Sequence, residues 1–81
     1  GAVNRQYFDT LEVAANAYTD ILRRFQTEVV PAVGTRLVEN MFRESLMKLP
    51  PNFRDILNRY TYMQFGSGSA PLITQKENTK L

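Results

Sequence analysis

Apolar residues recur at Phe8, Leu11, Ala15, Tyr18, Leu22, Phe25 and Val29, in alternating steps of three and four. At 3.6 residues per turn those steps keep one seam on a single helix face. Tyr7, Ala14 and Ile21 flank the seam and are expected to widen it, as a helix in a globular bundle requires and a strict coiled coil does not. The spacing of Asp9-Thr10-Leu11-Glu12 matches a capping box, so Asn4 or Asp9 is expected to open this helix. Asp9 and Glu12 would then sit near its positive end, and Arg23 and Arg24 near its negative end.

The seam stops where Val29 and Val30 lead into Pro31 and Gly34. Proline lacks an N–H and clashes with the preceding turn, so the helix should either kink at Pro31 or break, with Pro31 or Thr35 opening the next one. Gly34 favours the break. From Thr35 to Leu49, the positions Leu37, Val38, Met41, Phe42, Ser45, Leu46 and Leu49 form a second apolar face. Leu49-Pro50-Pro51 ends it, and Pro51 suits the first turn of a third helix. Phe53, Ile56, Leu57, Tyr60 and Met63 carry that helix's stripe out to Phe65. Three amphipathic helices with short joints predict an all-α fold, a small antiparallel three-helix bundle over residues 1–65.

Beyond Phe65 the pattern vanishes. Gly66-Ser67-Gly68-Ser69 alternates two small residues and reads as an engineered flexible linker over 66–69. Residues 70–81 are polar apart from Leu72, Ile73 and Leu81, too poor in apolar side chains to fold alone. They read as a tethered peptide or a disordered tail. Through Phe65 seven of the eight basic residues are arginine, whereas the tail carries only Lys76 and Lys80.

Composition then narrows the function classes. The chain has 81 residues, 43% of them apolar and 22% charged, an ordinary balance for one small domain. It has neither cysteine nor histidine, so disulfides, thiolate metal sites and the commonest acid–base group are missing. No carboxylate pair has the setting or spacing of a catalytic or metal site, and no nucleotide-binding motif occurs, so neither an enzyme nor a cofactor is expected. A net charge of +2, with Arg36, Arg43, Arg54 and Arg59 interleaved with Glu39, Glu44 and Asp55, argues against a nucleic-acid partner. The mixed signs and the lack of a long apolar run argue equally against a membrane partner. The missing cysteine, signal peptide and glycosylation site lean toward an intracellular location.

What is left is interaction with protein. Four linker residues reach about 13 Å, enough for a tethered peptide to fold back at an effective concentration in the mM range. The leading expectation is a domain that recognises a short peptide in an apolar groove between helices, fused here to that peptide. Tyr18, Leu22, Phe25, Met41, Phe42, Tyr60, Tyr62, Met63 and Phe65 are the groove candidates. Pro71, Leu72, Ile73 and Leu81 are the expected anchors, with Thr74-Gln75-Lys76-Glu77 spaced to cap a helical turn on binding. The alternative is a homo-oligomerisation module built on the regular seam, with the chain itself as partner.

Three tail motifs are weaker. Lys76-Glu77-Asn78 resembles the KEN degron, Thr79-Lys80-Leu81 a class I PDZ-binding terminus, and the same three residues loosely resemble a peroxisomal signal. Tripeptides this short arise often by chance.

Overall fold

The computed structural model describes residues 2–76, so Leu81 and the tail motifs that need residues 77–81 lie outside the described residues. Helix α1 covers Ala2–Val33, α2 Thr35–Met47 and α3 Pro51–Tyr60, followed by two short strands, β1 at Thr61–Met63 and β2 at Ile73–Gln75. The molecule measures 46 × 25 × 19 Å, and its long dimension is that of α1 itself, since 32 residues at a 1.5 Å rise make about 48 Å. Helices α2 and α3 both pack on this spine and touch each other little, while β2 lies against another side of it.

The helical class holds, but a pure three-helix bundle does not form, because a two-stranded antiparallel sheet completes the fold. α3 ends five residues short of Phe65. Thr61 turns extended, its N–H bonds back to the Leu57 carbonyl, and Met63 pairs across the sheet with Ile73 instead of joining a helical stripe. Thr61 and Tyr62 are a β-branched and an aromatic residue that suit a strand. Burying Leu72 and Ile73 beneath it outweighs a further helical turn. The helical turn expected after Ile73 is likewise replaced by β2.

The start of α1 also differs from expectation. No glycine or proline interrupts residues 2–8, so the helix opens at Ala2, and Asp9 lies inside it on the exposed side rather than capping it. Its first turn carries no acidic residue and its last no basic one, so the expected match of charge to the helix dipole is absent. Arg24 pairs instead with Asp20 one turn earlier.

Pro31 sits within α1 without ending it. The carbonyl that loses its donor belongs to Thr27, and both residues are exposed, so water satisfies it at little cost. The break comes at Gly34, where φ is +91° and ψ 157°. Only glycine adopts that conformation readily. Space is not the issue, since an added Cβ would meet nothing within 4 Å. Gly34→Ala should therefore lower unfolding free energy by about 1–3 kcal/mol through backbone strain alone, read as a shifted urea midpoint at constant slope.

The seam of α1 is rotated from its expected position. Ala15, Thr19, Leu22 and Gln26 are the buried file, with Leu11, Tyr18, Phe25 and Val29 half-buried beside it. Tyr7, Ala14 and Ile21 stay exposed rather than widening the seam, because the sheet occupies the side of the helix opposite to them. Phe42 stacks at a tilt on Phe25, ring centroids 5.9 Å apart, and Phe53 meets Tyr18 edge-on at 6.1 Å. One aromatic pair thus holds α2 to the C-terminal half of α1, and the other holds α3 to its middle. Leu72 and Ile73, both fully buried, join the same core as Ala15, Leu22, Val38 and Leu57.

Candidate functional site

The strongest concentration of specific contacts lies between α1 and β2, around a buried glutamine. In an antiparallel pair, alternate residues turn their N–H and C=O toward the partner strand or away from it. Here Gln64 donates to the Leu72 carbonyl at 2.8 Å and Lys76 to the Tyr60 carbonyl at 2.9 Å. With Met63 opposite Ile73 in the register, the backbone groups of Ile73 therefore point away from β1, toward α1. A buried strand edge needs partners for them.

Gln26, 5% exposed, supplies those partners. Its Nε2 donates to the Ile73 carbonyl at 2.6 Å, and its Oε1 accepts from the Ile73 N–H at 2.9 Å. The same Oε1 also accepts from the Leu72 N–H at 2.9 Å. A primary amide carries one acceptor and two donors, so a single side chain can stand in for a neighbouring strand. This reads the extended backbone of residues 72–73 without regard to their side chains. The side chains themselves are held by full burial of Leu72 and Ile73.

Thr19, two turns further toward the N-terminus on the same file, ties down β1. Its hydroxyl donates to the Ala15 carbonyl at 2.8 Å, so its bond with the Thr61 hydroxyl is one that Thr61 donates. At the rim, Arg23 Nη1 and Asn16 Oδ1 each lie 3.3 Å from the side-chain amide of Gln75. Lys76 Nζ donates to the Asn58 carbonyl at 2.6 Å. Beside β2 a polar cleft of about 390 Å³ opens between α1 and Pro71, lined by Asp20, Arg23, Arg24, Gln26 and Thr74 among others. The Ala70–Pro71 peptide bond that leads into β2 is cis, and Pro71 is exposed.

The connection from β1 to β2 has contacts of its own. Gly66 and Gly68 take positive φ, and the Gly66 N–H donates to Glu39 Oε1 at 3.3 Å. Glu39 Oε2 accepts from Arg43 Nη2 at 3.0 Å, and the Arg43 guanidinium lies 5.2 Å from the centroid of the Phe65 ring. The Gly66 N–H, then Arg43 and Arg36, hold the Glu39 carboxyl below its ordinary range. A carboxyl pKa depressed by folding stabilises the folded state above the unfolded value and stops doing so as pH falls through the folded one. Lowering the pH through and below the ordinary carboxylate range should speed exchange of the Gly66 amide relative to its intrinsic rate. Glu39→Gln should flatten that dependence, and an unchanged profile would show that the contact does not order the loop.

Among the groove candidates, Leu22, Phe42 and Tyr60 are core residues. Tyr18, Phe25, Met63 and Phe65 are half-buried against that core, while Met41 and Tyr62 are exposed. Tyr60 donates its hydroxyl to Glu12, fastening α3 to α1, and that bond holds its pKa above the usual phenol value. Of these nine, Tyr60, Tyr62 and Met63 meet the tail segment through backbone, opposite Lys76, Thr74 and Ile73. The polar side chains on the segment, Asn16, Arg23 and Gln26, were not among the candidates. A glutamine amid Leu22, Phe25, Val29 and Val30 was the available signal, since a polar residue inside an apolar sector needs a partner.

Among the described residues no helix is long and apolar enough to cross a membrane, and no group of three potential metal-ligating side chains converges. No family model, curated protein or solved structure matches the chain.

Proposed function

We propose that this chain is a protein-interaction domain that binds a short extended peptide, and that residues 70–81 are such a peptide, joined to the domain through residues 66–69. The observation that carries the reading is the Gln26 amide paired with both backbone groups of Ile73. Recognition by strand addition has two parts, main-chain hydrogen bonds for affinity and side-chain pockets for specificity. Gln26 and the edge of β1 supply the first, and the buried sites of Leu72 and Ile73 supply the second. The groove lies between α1 and β1, and the partner class is protein rather than nucleic acid or membrane. The domain carries out no chemistry and needs no cofactor.

A protease site placed within residues 66–69 tests this. After cleavage and removal of the released segment, a synthetic copy of residues 70–81 should bind back and shift the Gln26 side-chain amide saturably. Domain resonances that stay put when the segment leaves would sink the reading. A cleaved segment that can be removed only by unfolding the domain would make β2 an integral strand instead.

Self-association is the second reading. It is favoured by Ile21, 60% exposed, and Met41, 42% exposed, which border an apolar cleft of about 180 Å³ between α1 and α2. A mass of 9.3 kDa by light scattering at two widely separated concentrations rejects it.

A further inference from the structure

The two-stranded sheet has two outer edges, and only that of β2 is closed by Gln26. The register that aims Ile73 at α1 also turns the N–H and C=O of Met63 away from β2, where among the described residues they have no partner. That edge borders a cleft of about 320 Å³, separate from the groove of residues 72–73. Leu46, Leu57, Met63 and Phe65 give it apolar walls, and Arg43 and Arg54 give it charge.

The two arginines are not equivalent. Arg43 is committed to Glu39 and to the Phe65 ring. Arg54 is half-buried, has no carboxylate partner among the described residues, and its Nε is buried without a hydrogen bond. A buried guanidinium N–H left unsatisfied is costly and is relieved best by a carboxylate. An open strand edge, an apolar cleft and an unneutralised guanidinium therefore stand side by side.

From this we infer that the outer edge of β1 is a second docking site, for an extended acidic segment of another protein. The segment adds along Met63, places one apolar side chain between Leu46, Leu57 and Phe65, and sets a neighbouring Asp or Glu on Arg54. Charge selects this occupant over a second copy of the chain. Two copies meeting edge to edge at Met63 would bring two Arg54 side chains together in a half-buried site, with no anion between them.

The test uses the full chain and an acetylated, amidated peptide Ser-Asp-Leu-Asp-Ser, followed by NMR. The expected result is a saturable shift of the Met63 amide, the Arg54 Nε–H and the methyl of Met47, which also lines the cleft, with slower exchange of the Met63 amide. Replacing both peptide aspartates by asparagine should weaken binding roughly tenfold, as loss of a charge-assisted hydrogen bond does. Arg54→Gln should weaken the original peptide alike, and should leave the difference between the two peptides close to nothing. No shift up to the solubility of the peptide overturns the inference, as does equal binding of the asparagine peptide. Concentration-dependent shifts at Met63 without peptide would assign the edge to self-association. Shifts confined to Gln26 and Ile73 would return the peptide to the groove already proposed, which itself stands or falls separately on the cleavage experiment.

Discussion

Ile73→Asp should release β2 from its place against α1 and β1 and lower the stability of the chain steeply. Ile73 is fully buried in the core cluster shared by α1, α2, α3 and the sheet. Losing its burial costs about 1.5–3 kcal/mol, and an unpaired carboxylate in its place costs several kcal/mol more or is forced to stay protonated. At typical values per residue, a domain of 81 residues has roughly 4–12 kcal/mol of stability in all. The expected loss of about 4 kcal/mol or more consumes the lower part of that range. Urea denaturation followed by circular dichroism reads the outcome. An unchanged midpoint would place Ile73 outside the core. Preserved helix content with loss of only the β1–β2 pairing would show that the helices stand without the strand, which the peptide-recognition reading requires.

Gln26→Met should cost about 2–4 kcal/mol, although it removes no charge and hardly changes side-chain volume. The methionine fills the space, but the Leu72 N–H, the Ile73 N–H and the Ile73 carbonyl lose their partner together. Each buried group left unpaired costs about 1–3 kcal/mol. Water from the neighbouring polar cleft, which Gln26 lines, recovers part of it, so the loss falls short of three full penalties. Gln26→Glu separates the two halves of the clamp. It keeps an acceptor for both N–H groups but sets an oxygen against the Ile73 carbonyl, and should lose less than the methionine variant at neutral pH. In hydrogen exchange, Leu72 and Ile73 should be the amides most affected in both. If the two variants match the parent chain, the glutamine is not what holds β2.

Local signals fixed the helices well. Pro50 and Pro51 end one and open the next at the expected place, and Gly34 breaks the chain where its backbone freedom suggests. Leu72 and Ile73 stood out as the only apolar pair in a polar tail. Three features escaped because they depend on partners distant in sequence. Thr19 looks like a surface position on a helix until a sheet covers it. The apolar neighbours of Gln26 signal that it needs a partner without saying which, since periodicity counts only apolar residues. Met63 continues a helical spacing from Tyr60, so only its pairing with Ile73 makes that position part of a strand. Tyr7, Ala14 and Ile21 looked core-facing for a related reason, since a seam read without its neighbours has no fixed centre. The burial of Leu72 and Ile73 was therefore legible in the sequence, and the polar side chains bonded to their backbone were not.

The polar file on α1 also sets an order of assembly as the chain folds. Thr19 bonds across 42 residues to Thr61, and Gln26 across 47 to Ile73. The α1–α2 pair, by contrast, closes through Phe25 and Phe42 across a single break at Gly34. Short-range contacts form first, because closing a longer loop costs more entropy. Once α1 and α2 have packed and before residues 72–73 return to α1, Gln26 faces water with nothing to clamp. In that interval water, or any extended segment that reaches it, occupies the place later filled by Leu72 and Ile73. A chain midway through folding would thus present its groove open, and β2 would be the element that shuts it.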